Sequence, residues 1–227
     1  MFFWIALLAI LILTSWAQYQ VSHQFNKYSE VANRRYLTGA QAAAAVLQAH
    51  GVTGVGISRC GGHLTDHYDP RDNTIYLSQG VYDSATIAAV GVACHEAGHA
   101  CQYAEGYFPI RIRSAIIPAC QVGSTLSYIL IIVGLFLYSQ SWFGLGVALF
   151  SLTTLFQLIT LPVEFNASRR ALATIEGEGL LYEDEYYGAR KVLRAAALTY
   201  VAALLTSLLY LLRYVVIFLN MGRGNNE

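Results

Sequence analysis

The sequence predicts a mostly α-helical membrane protein that carries a small α+β domain and four transmembrane helices. Three observations predict it. Hydrophobic residues make up 56% of the 227 and charged residues 12%, about half the charged share usual in soluble domains. Four apolar stretches are long enough to cross a bilayer, which takes about 20 residues of helix. Two polar segments, residues 20–113 and 164–194, hold most of the charge, and the first of them contains short β-prone runs.

The first apolar run, Met1 to Ala17, opens without a preceding Lys or Arg, so an anchor helix over 1–19 is favoured over a cleaved signal peptide. The Ala-Gln-Tyr-Gln that follows Trp16 offers only a weak cleavage site. Thr38 and Gln41 then stand at capping-box spacing ahead of an alanine-rich run, which predicts a helix over 39–50 closed by Gly51. Val52 to Ile57 and Thr74 to Leu77 read as strands separated by a loop rich in glycine and aspartate. Asp83 or Ser84 is expected to cap a helix that runs to Glu105 and ends the domain spanning 20–113.

Between Arg113 and Glu164 lie 50 residues without a charge, interrupted by a polar turn at Ser139, Gln140 and Ser141. That length predicts a transmembrane hairpin over 114–163, with helices near 116–138 and 142–162. Residues 164–194 return as helical polar sequence, with an acidic cluster from Glu176 to Glu185 that reads as solvated. A fourth span and tail occupy 195–227, where Arg213 is expected to reach the far interface.

Parity places both polar segments on one side of the membrane, because a hairpin leaves a face and returns to it. Twelve of the 14 Lys and Arg fall on that side, against Arg223 and Arg213 on the other. The positive-inside rule then puts this domain on the cytoplasmic face of a bacterial-type cell membrane. Cysteines 60, 94, 101 and 120 form no C-x-x-C pair and are expected as reduced, packed thiols, which suits that compartment. Formal net charge is zero, so no global field draws nucleic acid.

His95, Glu96 and His99 spell H-E-x-x-H inside the last helix of the first polar segment. Residues four apart share one helix face, so the two imidazoles can hold one zinc ion. Glu96, rotated about 100° from His95, is placed to reach a water on that ion, whose pKa falls to roughly 7, and to serve as general base for hydrolysis. Gly98 is costly inside a helix, by about 1 kcal/mol relative to Ala, which points to a close approach of backbone or metal. Zinc of this kind takes a third protein ligand. Glu164, directly after the uncharged hairpin, is the leading candidate, and pairing with Arg169 or Arg170 is the other role open to it. Glu105, Glu176 and Glu178 are weaker candidates. His63 and His67 repeat the four-residue spacing in a loop, where it sets no common face. His63 reads as a surface residue, and His67 as a residue that could orient a ligand or steady an oxyanion.

The strings LTDHYDP, CHEAGHA and LITLPVEFNASRRA, in this order and spacing, resemble the YugP-like family of neutral zinc metallopeptidases of bacterial membranes over essentially the whole chain. The resemblance implies a zinc protease bound to the lipid bilayer, with polypeptides as its substrates. More distantly the plan is similar to the HtpX and CAAX prenyl protease families, where a glutamate beyond two spans completes a gluzincin site within a zincin-like domain. That similarity implies Glu164 as third ligand, and it marks Ser168 as a departure where those families place an aspartate. It also implies that the TIYL run at 74–77 presents its edge to substrate. Two other functions stay open: an intramembrane zinc protease in which residues 84–104 themselves span the bilayer, and a zinc-stabilised scaffold or chaperone without catalysis. Substrate and oligomeric state carry no readable signal.

Overall fold

The computed structural model describes residues 2–224; Met1 and the end of the tail, 225–227, lie outside it. The described side chains do not include Arg223, one of the two basic residues assigned to the far face. The elements run α1 (Phe2–Ser29), α2 (Gly39–Ala49), β1 (Gly56–Cys60), β2 (His67–Asp69), β3 (Thr74–Ser78), α3 (Gln79–Tyr82), α4 (Ile87–Ala104), α5 (Phe108–Phe136), α6 (Gln140–Gly177) and α7 (Glu183–Gly224). Among the described residues, four helices are long and apolar enough to cross a membrane: α1, α5, α6 and α7. The protein is a mostly helical membrane protein with a small α+β part. The chain divides into two compact units, Met1–Ser15 with Arg111–Leu161 and Tyr200–Glu227, and Trp16–Ile110 with Pro162–Thr199.

In the first unit the turn between α5 and α6 falls at 137–139, where the polar Ser139 ends the apolar run and Tyr138 takes a left-handed φ of 51°. Glycines let the two helices close up. A Cβ on Gly134 would stand 2.4 Å from the Phe143 backbone nitrogen, and one on Gly146 would stand 2.7 Å from that of Ile131. Phe143, fully buried, and Phe150 meet the Tyr214 ring edge to face at centroid distances of 6.3 and 5.2 Å, which ties α6 to α7. The Arg213 guanidinium lies 4.0 Å over the Phe3 ring and 5.0 Å over that of Trp4, a cation–π perch for a charge on an apolar helix.

The second unit is built around α4. The Thr38 hydroxyl accepts from the Gln41 amide while the Gln41 side chain accepts from the Thr38 amide, so the capping box read from the sequence starts α2. α2 and the sheet cover α4 through Val46, Leu47, Ile75, Leu77 and Val90, all buried in one core. Small side chains on α4, among them Ala89, Ala93 and Ala97, let its neighbours pack closely.

The sheet has the order β1-β3-β2, with β1 parallel and β2 antiparallel to β3. The TIYL run is therefore the central strand, paired on both sides, and not a free edge. The edges are β1 and β2, and the second of these was hidden in the sequence. Asp69, Pro70, Asp72 and Asn73 read as breakers, yet they form the turn of a hairpin, with Asn73 at φ 54° and its amide donating to the Gly54 carbonyl. Helix α4 likewise begins later than expected. Thr86 caps it through the Ala89 amide, because the separate turn α3 uses up residues 79–82 and Asp83 pairs with Arg59 at 2.6 Å. The acidic cluster is not wholly solvated either. Glu185 is buried, accepting from the Arg34 backbone and side chain and from the Tyr182 amide at the start of α7.

Candidate metal centre

Two helices meet at the centre, and Gly98 explains how. A Cβ there would lie 2.8 Å from the Ala167 carbonyl oxygen, so only glycine lets the α6 backbone come this near α4. The contact sets Glu164, one turn before Ala167, opposite the histidine face of α4. Pro162 sits inside α6, where it leaves the carbonyl four residues earlier without its helical donor.

His95 Nε2 lies 3.2 Å and His99 Nε2 lies 3.5 Å from the same oxygen, Oε2, of Glu164. The two rings stand 4.7 Å apart and almost perpendicular, at 83°. Glu164 is 2% exposed and His99 8%. One ligand atom from each of the three residues falls within 4.8 Å of the others. Zinc fits this donor set on two grounds. Two imidazoles and a carboxylate are ligands zinc takes readily, and a tetrahedral ion with bonds of about 2.0–2.1 Å holds its ligand atoms about 3.3 Å apart. The separations around Glu164 Oε2 match that spacing.

The far side of each imidazole is also held. Ser168 Oγ is 3.1 Å from His95 Nδ1, and the side-chain carbonyl of Gln102 is 3.0 Å from His99 Nδ1. The Gln102 amide is oriented by its own donations, at 2.8 Å to the Val163 carbonyl and 2.9 Å to Asn166 Oδ1. With its nitrogen so engaged, Gln102 offers His99 only an acceptor, so Nδ1 carries a proton and Nε2 is the nitrogen that a neutral ring turns to an ion. Asn166 Oδ1 also accepts from Arg170 Nε at 2.8 Å, and Arg170 continues to Glu105 at 2.6 Å. Arg170 and Glu105 thus pair with each other.

Glu96 is half-buried beside the cluster. Burial pushes its carboxyl up to about 7, with a smaller opposing pull from His95 and a further push from Glu164. The Tyr68 backbone amide of β2 also favours its charged form. Asp66, just before β2, is fixed by the Ser78 amide at 2.7 Å and the Ser78 hydroxyl at 3.0 Å.

The structure thus brings together His95, His99 and Glu164, with Glu96 alongside, and leaves His67 apart. The His67 ring is exposed, its Nδ1 pairs with the Thr65 carbonyl at 2.8 Å, and it stacks on Tyr76 at 5.1 Å. The Nδ1 atoms of His95 and His99 are held by Ser168 and Gln102. Both had a sequence signal. Gln102 stands three residues after His99 and Ser168 four after Glu164, spacings that share a helix face. His63 is exposed, as read, with its ring edge-on to Phe25. All four cysteines are free, and burial raises the Cys101 thiol to about 11, which suits packing more than chemistry.

Two histidines one helical turn apart, a buried carboxylate from a second helix, and four membrane-crossing helices define a membrane protein with a zinc-type centre. The chain belongs to the family described as "Putative neutral zinc metallopeptidase", whose model matches residues 3–219. It is also 47% identical over 219 residues to the protein named "Putative membrane protease YugP" of Bacillus subtilis (strain 168), an alignment covering 96% of this chain and 97% of that one. No solved structure matches it.

Proposed function

We propose that this chain is a zinc-dependent membrane endopeptidase in which His95, His99 and Glu164 hold the ion and Glu96 is the general base. The convergence of the three ligand atoms within 4.8 Å carries the reading. Bound there, zinc would lower the pKa of a coordinated water and polarise the scissile carbonyl. Glu96 then accepts the proton of the attacking water and delivers it to the leaving amine. A carboxyl near 7 is close to the operating pH, where such an exchange is most efficient. Gln102 and Ser168 hold the two imidazoles in position, and the Gln102 acceptor turns the other nitrogen of His99 toward the ion. The basic residues flanking the spans support the cytoplasmic face as the place of this chemistry. The helix bearing the motif, α4, is not among the four membrane-crossing helices, which favours this reading over cleavage inside the bilayer.

The test compares the wild type and Glu96→Gln at equal zinc content with a generic unfolded polypeptide as substrate. The base is worth about 10²–10⁴ in rate, so cleavage should fall by at least about a hundredfold while zinc per chain stays the same. Equal rates would leave a zinc-stabilised scaffold as the better description.

A further inference from the structure

The second unit holds a cleft that contains none of His95, Glu96, His99 and Glu164. It lies between the C-terminal part of α6 and the N-terminal part of α7, with a volume of about 560 Å³. Helical spacing makes it: residues 165, 169, 172 and 176 line up along one face of α6, and 186, 190, 194 and 197 along one face of α7. Three arginines, Arg169, Arg190 and Arg194, open into it against a single carboxylate, Glu176. None of the three forms a hydrogen bond, ion pair or aromatic contact within the described chain. Other arginines of the same unit are engaged, Arg34 with Asp184 and Glu185, Arg59 with Asp83 and Arg170 with Glu105. Arg190 is half-buried, and three guanidinium groups facing a cleft with Glu176 as its single carboxylate leave an excess of positive charge that favours an anion from outside.

The walls say what sort of anion. Phe165, Leu172, Leu193 and Ala197 give the cleft an apolar lining. On both helices it ends where the uncharged sequence starts: Phe165 follows the charge-free 114–163, and Ala197 lies just inside the apolar run that opens at Ala195. The charged residues therefore sit at the level where a span leaves the bilayer and headgroups lie. We propose that this cleft binds the phosphate headgroup of an anionic phospholipid, with the guanidinium forks on the phosphate oxygens and the acyl chains running along the apolar wall toward the membrane. Guanidinium groups suit a phosphate, which offers several acceptor oxygens to paired N–H donors.

Native mass spectrometry of the purified full chain in detergent, titrated with dioleoyl phosphatidylglycerol, dioleoyl phosphatidylcholine and inorganic phosphate, tests this. Phosphatidylglycerol should form a saturable adduct that phosphatidylcholine does not. Arg190→Gln/Arg194→Gln should weaken it about tenfold or more, and so should Arg169→Gln/Arg194→Gln, whose residues are exposed and whose loss leaves the fold alone. Lys191→Gln, next to Arg190 but outside the cleft, should have no effect. Ser168 also lines the cleft and is left unaltered, because it holds His95. Equal binding of phosphatidylcholine, an equal loss with Lys191→Gln, or displacement of the lipid by an equal concentration of inorganic phosphate would each overturn the proposal.

Discussion

Gln102 is fully buried and carries three hydrogen bonds, an unusual expense for an amide whose role is to hold a neighbour. Removing its acceptor would leave His99 Nδ1 with no partner and its ring free to turn. Outer partners of metal-binding histidines typically govern 10–100-fold in affinity. Gln102→Leu should therefore release zinc about ten to a hundred times more readily to a competing chelator, and Ser168→Ala should do the same by acting on His95. Ser168→Asp, which puts a carboxylate acceptor beside His95 Nδ1, should bind zinc at least as well as the wild type. A chelator titration of all three distinguishes these outcomes, and unchanged affinity in Gln102→Leu would remove its assigned role. At this scale the sequence was most legible where spacing alone sets geometry. His95, Glu96 and His99 declare themselves by a four-residue repeat, whereas Ser168 looked like a mere departure because its partner is 73 residues away.

Whether an element lies where the sequence puts it depended on whether its ends are marked by local chemistry. The capping box placed the start of α2 correctly. By contrast α6 and α7 were cut short at their first charged residues, since charge was taken for the end of a span, yet the helical pattern continues through Glu164 to Gly177 and begins again at Glu183. This continuity is what lets one membrane-crossing helix also carry Glu164. Gly98 was flagged as a misfit in a helix, and the structure supplies the reason in the Ala167 carbonyl. Gly98→Ala should thus act as a helix-spacing change. Overpacking of this kind costs about 1–3 kcal/mol, and by pushing α6 outward it should lower zinc affinity although no ligand is altered. Calorimetric unfolding together with zinc content checks both effects. A variant that kept full zinc and full stability would show that α4 and α6 have room to spare.

For the molecule as a whole, the decisive question is which side of the membrane each part faces. The four long apolar helices were readable because a bilayer demands them, α5 and α6 between Arg113 and Glu164 among them. The small sheet was only half readable, because a three-residue edge strand depends on its pairing more than on its own sequence. Orientation rests on the distribution of charge, and it yields a prediction with opposite signs at different sites. With Cys60 and Cys120 replaced by serine, single cysteines at Glu105, Glu178 and Leu137 can be labelled with a membrane-impermeant maleimide. All three positions are exposed. Leu137 lies at the turn of the hairpin, whereas Glu105 follows the helix of His95 and His99 and Glu178 follows the helix of Glu164. In intact cells Leu137→Cys should react, and Glu105→Cys and Glu178→Cys should react only after lysis. The reverse pattern would invert the protein and put its basic residues outside. Labelling of Glu105→Cys and Glu178→Cys from opposite sides would be worse for the assignment, because His99 and Glu164 could then share no ion.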